Sequence, residues 1–187
     1  MYVLGILGSP RIGGNTDILL DKVLEGASES EARIEKIILN TLNFSACQEC
    51  EDVKDDGTCK VEDDFQALYK KIEQADALIL ASPVFFGSLS AQTKKMVDRF
   101  QCLWRAKYIL KKEVFNKKRL GVFVCVQASG RTDFFKNAKS IVKNLFATMN
   151  TEYKQELFCT GLDQKASVLK HPEVLDQAFE LGKRLVE

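Results

Sequence analysis

The stretch Gly8-Ser9-Pro10-Arg11-Ile12-Gly13-Gly14-Asn15-Thr16 combines glycines, hydroxyls, an amide and a guanidinium between an apolar run and a helical pattern. Such a connection lets free backbone N–H groups and the helix dipole converge on one point, which attracts an anion. Ser9 and Thr16 offer hydroxyl donors, Asn15 an amide, and Arg11 a planar fork suited to phosphate oxygens. The stretch has no Gly-Lys-Ser/Thr ending for a P-loop, and Gly5, Gly8, Gly13 and Gly14 do not make a dinucleotide fingerprint. The phosphate of a mononucleotide remains. The plainer alternative is a tight turn with Asn15 or Thr16 capping a helix.

Cys47, Cys50 and Cys59 form a second group, set among acids and Gly57 in what reads as an irregular loop. A cubane iron–sulfur cluster is normally held by four thiolates. Three cysteines leave three readings open: a cluster with an outside fourth ligand, a zinc completed by an acid, or thiols with no ligand. Cys102, Cys125 and Cys159 stand singly in apolar segments and read as buried thiols. His171, between Lys170 and Pro172, reads as a surface residue at a helix entry.

The elements that must position these groups alternate between short β-branched runs and longer stretches of helical period, the pattern of βαβ units. Strands are expected at Tyr2–Leu7, Ile34–Leu39, Ala77–Ala81, Leu120–Val126 and Tyr153–Cys159. Helices are expected over Asn15–Ala27, Asp63–Ala75 and Ser88–Trp104, around Phe134–Leu145, and after Pro172. Asp63 and Gln66 have the spacing of a capping box for the second helix. The first, third and fourth strands are continuously apolar, whereas the second contains Glu35 and Lys36 and the fifth Lys154, Gln155 and Glu156. Strands buried on both faces belong in the middle of a parallel sheet. The expected fold is therefore a flavodoxin-like α/β three-layer sandwich, a single domain over residues 1–187, with a five-stranded parallel sheet of order 2-1-3-4-5.

In such a sheet ligands bind outside the carboxyl ends of the strands at the switch point, here the loops after Leu7, Ala81 and Val126. In the second loop, Pro83 and Gly87 bracket the apolar Val84-Phe85-Phe86, where a flat ring could lie, although two such aromatics could equally be core. The third loop, Gln127 to Thr132, offers Ser129 and Gly130. A chain with 45% hydrophobic and 28% charged residues and a formal net charge of +1 lacks the basic excess of a nucleic-acid binder. It also lacks a long apolar span, and its opening run is too short for a secretory leader, so a cytoplasmic protein is expected.

Gly-Ser-Pro-Arg followed by Gly-Asn-Thr, together with Ala81-Ser82-Pro83-Val84-Phe85-Phe86-Gly87-Ser88-Leu89-Ser90-Ala91-Gln92, resembles the NADPH-dependent FMN reductase and iron–sulfur flavoprotein family. The segments Lys94–Arg99 and Trp104–Leu110 continue the resemblance, which covers most of the first 130 residues. It implies that Ser9, Arg11, Asn15 and Thr16 bind the FMN phosphate and that Pro83, Val84, Phe85, Phe86 and Gly87 lie beside the flavin ring. It implies that Ser129 and Gly130 close over the flavin, that NAD(P)H is the reductant, and that the chain forms a homo-oligomer. A quinone, free flavin, metal or protein would receive the electrons; an electron carrier that turns over no nicotinamide is the alternative. The iron–sulfur members place a third cysteine three residues after Cys50, where this chain has Val53.

Overall fold

The computed structural model describes residues 1–50, 54 and 56–187; Val53 lies outside them. Five strands run parallel: β1 (Tyr2–Leu7), β2 (Arg33–Ile38), β3 (Ala77–Phe85), β5 (Arg119–Val126) and β6 (Thr151–Cys159), in the order β2-β1-β3-β5-β6. This is the expected 2-1-3-4-5 arrangement, with one short strand added. That strand, β4 (Ser88–Leu89), pairs antiparallel with the end of β3. The polar strands β2 and β6 form the edges, and every residue of β1 is buried.

Alternation along the strands sends side chains to opposite faces, which builds two cores. Leu4, Ile6, Leu78, Leu80 and Phe123 pack on one side with α2 (Phe65–Gln74), α3 (Ala91–Arg99) and α5 (Asp133–Thr148). Val3, Leu7, Ile79, Val122 and Val124 pack on the other with α1 (Asn15–Ser28) and α6 (Pro172–Val186). The helical stripes behave as their spacing requires: Leu20, Val23, Leu24 and Ala27 of α1 are buried, as are Phe65, Leu68, Tyr69 and Ile72 of α2.

Two local expectations change. The helix expected from Ser88 begins only at Ala91, because Phe86 and Gly87 adopt left-handed backbone (φ 50° and 73°) and close a tight hairpin that sends Ser88 and Leu89 back along β3. Ser90 then caps α3, its hydroxyl accepting from the Thr93 N–H at 3.2 Å. The helix breaks at Phe100, resumes as α4 (Gln101–Trp104) and widens into a π turn over Arg105–Ile109. The second change concerns Asp63 and Gln66, which do not form a capping box. Asp63 accepts from the Phe65 N–H and pairs with Arg99, while the Gln66 amide donates to the carbonyls of Cys59 and Val61.

Candidate functional site

At the carboxyl ends of β1, β3 and β5 the three loops meet around a cleft of about 190 Å³. Ser9, Arg11, Asn15, Thr16, Pro83, Val84 and Phe85 all line it, so the two stretches singled out from the sequence come together. What holds them is a buried hydroxyl cluster. Ser90 donates to the Gly8 carbonyl at 2.6 Å, and Thr93 Oγ1 lies 3.1 Å from Ser82 Oγ and 2.9 Å from Ser90 Oγ. The Gly8 N–H donates to the Ala81 carbonyl at 2.7 Å. A Cβ on Gly8 would stand 1.8 Å from Thr93 Oγ1, so only glycine lets the first loop cross this close to α3.

The N-terminus of α1 faces into the cleft. Its cap is Gly14, without a side-chain capping bond, and the first-turn N–H groups of Asn15, Thr16 and Asp17 have no intrahelical acceptor. The loop is braced locally by Arg11 N–H to Ser9 Oγ (3.1 Å) and Gly13 N–H to Asp17 Oδ2 (2.7 Å). Ser9 and Thr16 are buried in its wall, and Arg11 crosses the mouth to the Asp163 carbonyl at 3.4 Å.

Asn15 differs from its expected part. Its amide donates to the carbonyls of Leu162 (3.2 Å) and Gln164 (2.9 Å), and its Oδ1 accepts from the Val168 N–H at 3.0 Å. The side chain is a latch for the segment after β6, and its amide hydrogens are already committed there. That segment adds groups the sequence reading did not single out: Leu162, Asp163 and Lys165 line the cleft, and Lys165 brings a second cation beside Arg11. Of the third loop, Ala128 rather than Ser129 or Gly130 reaches the lining; those two are exposed on the turn. Phe86 stands fully exposed at the hairpin tip, and Gly87 is pinned through its carbonyl to the Asn137 amide at 2.8 Å. Neither Phe85 nor Phe86 is core.

A second cavity, of about 230 Å³, lies under the cysteine loop. Cys47, Cys50 and Cys59 line it, and so does Cys102 from α4, which the sequence reading placed among isolated core thiols. Cys125 and Cys159 are buried as expected, and all six cysteines are free. Burial pushes the Cys102 thiol up to about 12, with the neighbouring Cys59 and Cys47 sulfurs adding to the rise. Arg99, at the end of α3, is fully buried and ties the loop together. Its guanidinium donates to Cys59 Sγ at 3.3 Å, to the carbonyls of Ser45 and Val61, and to Asp63 at 2.6 Å. Burial alone would raise the Asp63 carboxyl, but the bonds from Arg99 and from the N–H groups of Ser45 and Phe65 outweigh it and hold the group below the usual carboxylate range. Among the described residues, no three His, Cys, Asp or Glu side chains are gathered tightly enough to hold one metal ion. His171 is exposed beside Glu173.

A doubly wound parallel sheet with an uncapped helix N-terminus and a tight hairpin at its switch point defines a flavodoxin-like α/β protein. The profile of the NADPH-dependent FMN reductase family matches residues 1–153, and the chain belongs to that family. An iron–sulfur flavoprotein of Methanocaldococcus jannaschii is 31% identical over 193 residues, spanning 100% of this chain and 96% of that protein. One from Methanosarcina thermophila is 33% identical over 61% of this chain and 60% of its own length. Among solved structures, an NAD(P)H:quinone oxidoreductase from Methanothermobacter marburgensis superposes with a TM-score of 0.72 at 18% identity, covering 99% of this chain and 98% of that one. A flavone reductase gives a TM-score of 0.75 at 21% identity over 100% of this chain and 62% of its own. The last two likenesses are of fold. The chain is thus an FMN-dependent oxidoreductase with a nicotinamide nucleotide as its reductant. Among the described residues no helix is long and apolar enough to cross a membrane.

Proposed function

We propose that the cleft between the three loops is the FMN site and that it serves a reductase passing electrons from NAD(P)H to a quinone, free flavin, metal or protein acceptor. The observation that carries this reading is the uncapped N-terminus of α1, walled by Ser9 and Thr16 and flanked by the cations Arg11 and Lys165. That donor set fits a phosphate dianion: backbone N–H groups and hydroxyls supply directional bonds, and the two cations supply charge. The enclosed volume is below the roughly 300–1,000 Å³ of a typical ligand pocket. It suits the phosphate and ribityl chain, and Pro83, Val84 and Phe85 at its open edge would hold the ring. Phe86 and Gly87 border that edge on the hairpin, and Ser129 and Gly130 border it on the opposite turn. When bound, FMN supplies the redox chemistry, taking hydride from the nicotinamide and releasing electrons to the acceptor. Arg11, Lys165 and the α1 terminus would anchor the phosphate, and the hairpin would position the ring. A second copy of the chain, seated against exposed Phe85 and Phe86, completes the outer side of the ring.

Titration of the flavin-free chain with FMN tests the site. Arg11→Ala is expected to weaken binding by about 1.5–3 kcal/mol, the contribution of a charged hydrogen bond to phosphate. Unchanged affinity in that variant removes Arg11 from the site. Steady-state oxidation of NADH and NADPH with added quinone, flavin and ferric acceptors tests the activity; bound FMN with no turnover on any acceptor sinks the reductase reading.

A further inference from the structure

Lys36 sits where β2 otherwise turns apolar side chains toward α1: Ile34 and Ile38, two residues to either side, pack on that core. A lysine on this face needs a partner, and α1 provides two, Asp17 and Asp21, which stand one turn apart on one side of the helix. The Lys36 Nζ lies 2.5 Å from Oδ1 of each. Among the described residues Asp17 Oδ1 has no donor besides this ammonium. The two carboxylates differ in setting. Asp21 is exposed and its charge is screened by water, whereas Asp17 is buried in the first turn of the helix whose N-terminus enters the cleft. The other oxygen of Asp17 accepts from the Gly13 N–H at 2.7 Å and so holds the left-handed turn of the loop (φ 68°). Across that turn lies Lys165; a Cβ on Gly13 would stand 3.5 Å from its Cε. Burial pulls the Lys36 ammonium down, but the bonds to Asp17 and Asp21 outweigh it and hold the group above the usual lysine value, so it stays charged.

A carboxylate inside the first turn of α1 is well placed to fix the loop, but its charge repels any anion bound at the same helix end and opposes the pull of the helix dipole. On the reading of the cleft as the FMN site, we propose that Lys36, on the edge strand outside the cleft, is a positioning residue for the flavin phosphate: it cancels the Asp17 charge, so that Asp17 pins the Gly13 turn without driving the phosphate away. Ammonium and carboxylate form a neutral pair behind the loop, and Arg11 and Lys165 in front of it then act on the phosphate alone. Without the Lys36 charge, a bare buried carboxylate faces the dianion through one turn of helix, in surroundings that screen it poorly. The ring and ribityl chain carry no charge for Asp17 to repel, so the effect belongs to the phosphate.

Titration of the flavin-free, full-length chain with FMN and with riboflavin tests this at about pH 8, where an ordinary carboxylate is ionised. Riboflavin shares the ring and ribityl chain but lacks the phosphate, so it separates a charge effect from general damage to the loop. Lys36→Met is expected to bind FMN roughly tenfold more weakly, with riboflavin affinity changed by less than about twofold. Lys36→Arg keeps the charge and is expected to stay within about threefold of wild type for FMN. Adding Asp17→Asn to Lys36→Met removes the uncompensated charge and keeps an acceptor for the Gly13 N–H, so FMN binding is expected to return to within about threefold of wild type. The double variant buries no bare charge and gives its answer even where Lys36→Met alone fails to fold. A tenfold loss that persists in it overturns the proposal, as do equal losses of FMN and riboflavin in Lys36→Met. Wild type that prefers FMN, with that preference untouched by Lys36→Met, overturns the role of Lys36 alone. Wild type that binds riboflavin as tightly as FMN overturns the phosphate site itself, and the role of Lys36 with it.

Discussion

Asn15 sits beside the anion-binding turn yet works on the other end of the chain. Both amide hydrogens and Oδ1 are committed to Leu162, Gln164 and Val168, inside a site where the side chain is almost fully buried. Truncation to Ala leaves the Leu162 carbonyl and the Val168 N–H without partners and the Gln164 carbonyl with only its bond from the Ser167 N–H, and each unsatisfied buried group costs about 1–3 kcal/mol. Asn15→Ala is therefore expected to lower the stability of flavin-free protein by roughly 2 kcal/mol in urea titrations, whereas Arg11→Ala, an exposed side chain, changes it by less than ~0.5 kcal/mol. Equal stability losses in the two variants would refute this division of labour. The sequence announces Ser9 and Thr16 because a helix N-terminus is a local signal. It hides the true partners of Asn15, which lie about 150 positions downstream, and it hides Lys165 and Asp163, which follow an edge strand with no motif of their own. Cys102 is disguised differently: between Phe100 and Leu103 it shares the spacing of the core stripe.

At the level of elements, the departures from sequence expectation cluster where the backbone is unusual. The hairpin at Phe86-Gly87 needs left-handed conformation at both positions, and Phe-Gly is not the Asn-Gly or Asp-Gly pair that signals such a turn. Helical periodicity in Leu89, Met96, Val97 and Phe100 therefore masked a strand. Among its described residues the cysteine loop has no helix or strand, and it depends on Arg99, bonded to both its beginning at Ser45 and its end at Val61 and Asp63. Removing one partner of a buried pair costs roughly 3–5 kcal/mol, so Arg99→Met is expected to lose about 3 kcal/mol of stability. The same pair sets a pH dependence. The folded Asp63 carboxyl titrates below its unfolded value of about 3.9, so its stabilisation is complete above that value and fades as pH falls through the lower, folded one. Unfolding measured from neutral to strongly acidic pH should show that decline in wild type and a shallower one in Asp63→Asn. Parallel curves would place the acid sensitivity on other carboxylates.

For the molecule as a whole, sheet order was legible because it is written in polarity: β1, β3 and the body of β5 must be apolar on both faces, while β2 and β6 need not be. That order alone fixes the switch point, and with it where a ligand can reach three loops at once. The loops are joined by side chains from distant parts of the chain, namely Asn15 to the segment after β6 and Ser90 to Gly8. A ligand seated among them should therefore stabilise the entire domain. By mass action, FMN at a hundred times its dissociation constant adds about 2.7 kcal/mol to unfolding. For a domain of this size about 2–4 °C accompanies each kcal/mol, so a rise in Tm of roughly 5–11 °C is expected in differential scanning calorimetry. Arg11→Ala at the same FMN concentration should keep only about 0.3–1.3 kcal/mol of that gain, given the affinity loss argued for it. Asn15→Ala should start from a lower Tm and still rise with FMN. A Tm indifferent to FMN in wild type would mean that the three loops hold no flavin, and a full rise in Arg11→Ala would move the phosphate anchor to Lys165 and the amides of α1.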